Sequence, residues 1–398
     1  MKKWGICHCR RNGIRALCLT VLFSMAVSQT ALASPEFAYS PEKWASLRDD
    51  MLEYGELADL IHEYNAEVIN NRLEYDDYRG KTNDDMRNIY SDMADRLEDS
   101  GDRMMDGIHE DQPDYGAAEA SAMSIRLQAE QAREQADREN EDGRVKKLEY
   151  DRQEALLVQE AQRLMVEYWK KEKERPALEE AGQKAELEAQ TAERKAALGM
   201  LSQPELLEAG AAAKAAQAAA ASGKKEQEDL RRQLIVMTGW EYDDLPELGE
   251  IPIPDEALIE AADPESDRKQ ALTANFSLAA DSRRLENTDP GTVRDVLEQK
   301  VEAGKQKIEA DIEAKYKNLM QAQADYRQAG EEYRLAEEKA GTDERRYRLG
   351  LLSANEYRAA QTELLSEKAG WEISGLSLRQ AYEDYRWSVE GLAAYEGG

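Results

Sequence analysis

Catalysis and metal binding require particular side chains to converge, and this chain offers few candidates. His62 and His109 lie apart and have no convergent partners, so no metal centre is expected. With 82 acidic residues, neighbouring carboxylates arise everywhere by chance. Glu241, Asp243 and Asp244, for example, stand in a linker with no supporting base. Such carboxylates read as solvated helical surface. The sequence holds no glycine-rich phosphate loop and no nucleophile elbow. Asn275-Phe276-Ser277 matches a glycosylation sequon, a pattern common enough to occur by chance. No catalytic residue, cofactor site or metal ligand is assigned, and the chain is not expected to be an enzyme.

The chemistry that remains is contact chemistry, and it sits at two turns. Residues 191–202 read TAERKAALGMLS and residues 342–353 read TDERRYRLGLLS, identical at seven of twelve positions. In each block a glycine, Gly199 or Gly350, can take the left-handed conformation that ends a helix. A serine, Ser202 or Ser353, can cap the next helix, with Glu205 or Glu356 three residues on to complete a capping box. Capping accounts for the glycine and the serine. It does not account for the apolar pairs between them, Met200-Leu201 and Leu351-Leu352. Apolar side chains exposed at a helical tip mark a contact surface. The candidate contact residues are therefore Gly199, Met200, Leu201, Ser202, Gly350, Leu351, Leu352 and Ser353.

Long helices must position these turns. From Pro290 to Leu349 the pattern is unbroken helix, with Asp289 or Thr288 as its expected cap. Ile312, Leu319, Tyr326, Tyr333, Ala340 and Tyr347 recur every seven residues. After Ser353 the same spacing returns in Tyr357, Leu364, Trp371, Leu378, Tyr385 and Leu392. Two seams joined by a short turn predict an antiparallel helical hairpin. The first copy repeats this logic, with helix from about Val145 to Leu198 and from Pro204 to Met237. Gly239 and Gly391 lie near the ends of the two returning arms. Pro246, Pro252, Pro254 and Pro264 make 241–267 an extended crossover between a first repeat, 34–240, and a second, 268–398. Asn65 and Asn275 each precede an apolar pair by three residues, but their offset exceeds that of the turns by about 59. The first repeat thus carries an extra segment at about 76–143, which reads as helix, with a polar break over Ser100–Tyr115.

The first 33 residues have the form of a secretory signal peptide. Lys2, Lys3, Arg10, Arg11 and Arg15 precede an apolar run and then Ala31-Leu32-Ala33, with cleavage expected between Ala33 and Ser34. Cys7, Cys9 and Cys18 all fall inside this leader, so the mature chain holds no cysteine. Removing a leader with five basic and no acidic residues takes the net charge from −29 to −34. That charge disfavours nucleic acid as a partner.

The segment Tyr347-Arg348-Leu349-Gly350-Leu351-Leu352-Ser353-Ala354-Asn355-Glu356-Tyr357, with Ala360-Gln361, resembles the hallmark turn of TolC-like outer-membrane efflux proteins. The first copy departs from it at Ala196, which stands where the second has Tyr347. The resemblance implies an all-α fold of long antiparallel coiled-coil hairpins in a tandem repeat. It implies a homotrimer whose twelve long helices form a tunnel in the cell envelope. It also implies that the tips dock the helical hairpins of a membrane-fusion adaptor, itself joined to an ABC-type or other inner-membrane pump. Members of that family contribute four membrane strands per protomer. Here the second repeat has only Asn287-Thr288-Asp289-Pro290-Gly291 at that place, so little or no β structure and no barrel are expected. A protein without strands would serve in the cell wall or at the surface. The alternative reading is a non-transporting coiled-coil protein of the envelope. An adaptor-like protein would need β-rich flanks, which the sequence lacks.

Overall fold

In the computed structural model the described residues are 39–395, and the leader with its Ala33-Ser34 junction lies outside them. The chain divides after Asp49. The first unit contributes one short helix, α1 (Pro41–Ser46), whose cap Ser40 accepts the Lys43 N–H at 3.3 Å.

The second unit is built from α2 (Leu57–Tyr64), α3 (Ala66–Tyr78), α4 (Asn83–Met105), α5 (Tyr115–Arg138), α6 (Gly143–Ala197), α7 (Gln203–Met237), α8 (Glu256–Glu260), α9 (Pro264–Ala274), α10 (Phe276–Asn287), α11 (Thr292–Arg348) and α12 (Ala354–Trp387). Its strands are β1 (Met51–Leu52) and β2 (Glu247–Leu248), paired in parallel. The described residues hold no other strand, so the expected all-α fold with little β structure is what is observed.

α6 packs along α7, α11 packs along α12, and α12 lies against α6. The four long helices thus form a row, α7–α6–α12–α11, with α7 and α11 outermost. At 55 and 57 residues, α6 and α11 each run roughly 80 Å at about 1.5 Å per residue. The seam of the second hairpin follows the seven-residue spacing. Ile308, Ile312 and Leu319 of α11 bury against Leu378 and Tyr385 of α12. Trp371 is stacked between Tyr326 and Tyr333, with centroids 6.2 and 5.3 Å away. Flat rings in register tie the two helices together where alanine fills the neighbouring positions.

At the end remote from the turns, two asparagines do the same job. Asn65 caps α3 by accepting the Val68 N–H at 3.3 Å and donates to Met237 O at 2.9 Å. Asn275 caps α10 by accepting the Leu278 N–H at 2.9 Å and donates to Ala393 O at 2.9 Å. Each asparagine therefore fastens a short helix to the end of a returning arm. Asn275 is buried and its amide is committed, so the sequon is a structural cap. A glycine completes each joint. Gly239 (φ 75°) and Gly391 (φ 130°) press on the backbone of Tyr64 and Ala274, the residues just before the two asparagines.

Some boundaries differ from the sequence expectation. α11 starts at Thr292 after Gly291, so Pro290 lies outside it. Thr288 donates to Arg284 O at 2.7 Å instead of capping, and Asp289 pairs with Arg87 at 3.2 Å. The crossover is not wholly extended. It contains β2 and α8, whose Ile259 buries against the α11–α12 seam, and Pro264 opens α9. The extra segment forms a third hairpin, α4–α5. The polar break is shorter than expected because α4 continues to Met105. α6 also runs through Pro176 without ending.

Candidate functional site: the two hairpin tips

Both turns are built by the same hydrogen bonds. At the first, the Gly199 N–H donates to Ala196 O at 2.9 Å and the Met200 N–H reaches back to Lys195 O at 2.8 Å. At the second, Gly350 donates to Tyr347 O at 2.9 Å and Leu351 to Arg346 O at 2.8 Å. This double closure consumes the last carbonyls of α6 and α11 and requires a left-handed residue. Gly199 and Gly350 supply it, with φ of 71° and 74°. The next helix starts at once. The Ser202 and Ser353 N–H groups donate to Glu205 and Glu356 at 2.9 and 2.8 Å. The serine hydroxyl and then the serine N–H hold both glutamates below the usual carboxylate range.

This geometry decides which apolar residues face outward. Leu198 and Met200 are 74% and 71% exposed, and Leu349 and Leu351 are 74% and 67% exposed. Leu201 and Leu352 are half-buried, and Leu201 lines the groove between the end of α6 and the start of α12. Of the expected contact residues, Met200 and Leu351 are therefore displayed. Leu198 and Leu349, identical in the duplicated block, were not singled out by sequence. The missed signal is positional: the residue before a left-handed glycine leaves the seam of its helix, so its side chain points past the tip. Leu207 adds a further exposed apolar side chain at the first tip.

The two tips differ in side-chain packing. Tyr347 and Tyr357 stack across the second, with centroids 4.5 Å apart and rings within 4° of parallel. Ala196 and Leu206 occupy the matching places in the first. Beside the tips, a cavity of about 330 Å³ opens between the end of α6 and the start of α12. Lys184, Lys195 and Arg358 line it with Leu187 and Leu201, and Glu188 is its acid. A cationic, apolar-floored groove is notable in a chain of net charge −29. A surface carrying apolar and acidic side chains would complement this chemistry.

Elsewhere, His62 has partners that sequence reasoning did not find. Its Nδ1 lies 2.6 Å from Glu154, and Arg72 approaches Nε2 at 3.3 Å. Glu154 comes from α6, far along the chain, so spacing carried no sign of it. Among the described residues, no group of three or more His, Cys, Asp or Glu side chains is arranged to hold a metal ion. No described helix is long and apolar enough to cross a membrane.

No protein-family profile and no curated protein matches this sequence. Solved structures do. The chain is similar to outer-membrane channels. The Campylobacter jejuni CmeC outer membrane channel matches at 11% identity over 92% of each chain, with a TM-score of 0.48. The outer-membrane channel OprN matches at 12% identity over 89% of this chain and 93% of that one, with a TM-score of 0.49. The Vibrio cholerae outer membrane protein VceC matches at 10% identity over 85% and 96%, with a TM-score of 0.47.

Proposed function

We propose that this protein is an exported, TolC-like component of an efflux or secretion system. It forms a helical conduit in the cell envelope and uses its hairpin tips to dock a membrane-fusion adaptor and its pump. The observation that carries this reading is the pair of matched tips. Two long hairpins end side by side in turns that are rigidly capped yet display leucine and methionine to solvent. A turn selected only for capping has no use for those side chains.

The row of four helices supports a ring of copies. Its two outer members present different faces. α7 offers a run of exposed alanines, including Ala211, Ala215 and Ala218, whereas α11 offers longer side chains such as Leu335. Unlike edges favour a head-to-tail contact, which closes into a ring when the rotation allows. The homotrimer is the closure suggested by the resemblance in the turn motif. In sedimentation, the mature chain 34–398 is expected to run as a trimer. A monomer at micromolar concentration would select the alternative, a non-transporting coiled-coil protein of the envelope. Leu349→Asp with Leu351→Asp should leave helicity unchanged and abolish capture of a co-expressed adaptor. Undiminished capture would remove the tips from the docking role.

A further inference from the structure

The third hairpin, α4–α5, is not used by the docking reading. It projects from the N-terminal end of α6, remote from the tips, and packs along its length only on itself. Its interior is thin: besides Met86 near the root, the buried residues are Ala94 and Gly101 of α4 and Ala122, Ala129, Ala132 and Ala136 of α5. Alanine contacts bury little apolar surface, so two helices of this length gain little from each other alone. Several larger apolar side chains are exposed instead. Ile89, Met93 and Met104 are 48%, 53% and 38% exposed, and Met123 and Leu127 are 73% and 55% exposed.

These residues form two separate stripes. On α4, Ile89, Met93, Arg96 and Met104 share one flank at helical spacing. On α5, Glu119, Met123, Leu127 and Glu130 share the face turned away from α4. The register of the hairpin is fixed by Arg126 on Asp102 at 2.8 Å and Arg133 on Asp95 at 3.3 Å. It sets Arg96 about level with Glu130, and Met104 about level with Met123. Neither Arg96 nor Glu130 has an ion-pair partner among the described residues.

We infer that the third hairpin is a self-association arm, in which the α4 flank of one copy seats on the outer face of α5 in the next. The occupant is a second copy of this chain. Rotation about an axis along the helices keeps every residue at its own height. Level residues on unlike faces therefore meet their complements in a neighbour: Arg96 meets Glu130, and Met104 meets Met123. The root of the arm is fixed firmly enough to hold this alignment. Arg87 donates to Glu139 O at 3.1 Å and Asn287 O at 3.2 Å, and Asn287 donates to Asn140 O at 2.9 Å. The inference rests on the ring of copies proposed above.

The mature chain has no cysteine, so a single introduced thiol reports position cleanly. Chains carrying Met104→Cys and Met123→Cys are refolded together and treated with a short bismaleimide. A cross-linked dimer is expected in the mixture, several-fold above either chain alone. Arg96→Glu in the first chain is expected to lower the yield about two- to fivefold, the range of an exposed ion pair, and Glu130→Arg in the second to restore it. An assembly that sediments as an oligomer without giving this cross-link overturns the arm and leaves the ring standing. A cross-link indifferent to Arg96→Glu also overturns the assigned faces. A monomer overturns both.

Discussion

Gly199 and Gly239 give a controlled comparison inside one molecule. Their φ angles are 71° and 75°, so an alanine at either site takes the same left-handed conformation. That costs about 1–2 kcal/mol, and the gain from a stiffer unfolded chain is the same at both sites. Only the surroundings differ. At Gly199 an added Cβ meets nothing within 4 Å. At Gly239 it would lie 2.7 Å from Tyr64 O and closer still to the Tyr64 Cβ. The end of α7 would have to move away from the start of α3, stretching the Asn65 bond to Met237 O. Overpacking of this kind costs about 1–3 kcal/mol. Gly239→Ala should therefore destabilise the protein by about 1–3 kcal/mol more than Gly199→Ala. Guanidinium unfolding followed by far-UV circular dichroism measures the difference as a shift in midpoint at constant slope. In the second repeat the same contrast in space comes with a difference in backbone, since Gly350 has φ 74° and Gly391 φ 130°, so that pair should differ by at least as much. Gly350 has open space, whereas a Cβ at Gly391 would lie 2.8 Å from Ala274 O. Equal losses within each pair would show that the arm ends do not close on the asparagine joints as described.

Three further expectations follow from individual contacts. Asn275→Asp keeps the cap on Leu278 but leaves buried Ala393 O without its donor, and should cost about 1–3 kcal/mol in the same assay; an unchanged midpoint would remove that bond from the account. Glu205 and Glu356 have lowered values in the folded chain, so their contribution is present above the ordinary glutamate value and fades as pH falls through the lowered one. In an NMR titration both should titrate below ordinary exposed glutamates, and Ser202→Ala and Ser353→Ala should each return their partner toward the usual range. Pro176→Ala restores a missing helical donor inside α6 and should stabilise the chain by up to about 3 kcal/mol, read as a raised unfolding midpoint.

Much of this fold was written in local pattern. The seven-residue spacing of Ile312, Leu319 and Tyr326 against Trp371, Leu378 and Tyr385 is the seam itself, because a coiled hairpin repeats the same contact along its length. Gly350 and Ser353 marked the turn because each terminates or opens a helix by its own backbone chemistry. Contacts between distant segments left no such trace. The bonds of Asn65 to Met237 and Asn275 to Ala393, and the approach of Glu154 to His62, join residues with no spacing rule between them. The outward direction of Leu198 and Leu349 needed the φ of the following glycine, not only its identity.

The site of the insertion bears on what the molecule can become. α4–α5 enters between α3 and α6, and the matching place in the second half is the short link from α10 to α11. Each copy in a ring would therefore bring one arm rather than two. A single arm per copy can reach its neighbours only if its two sides differ, one to give and one to receive. The unlike stripes of α4 and α5 meet that condition, as the unlike edges of α7 and α11 do for the long helices. The ring contact and the arm contact would then share one rotation. Strengthening the second, for example by replacing Ser100 with leucine opposite Leu127, should tighten the whole assembly and lower the concentration at which it dissociates. Dissociation at an unchanged concentration would separate the two contacts and confine the arm to another partner.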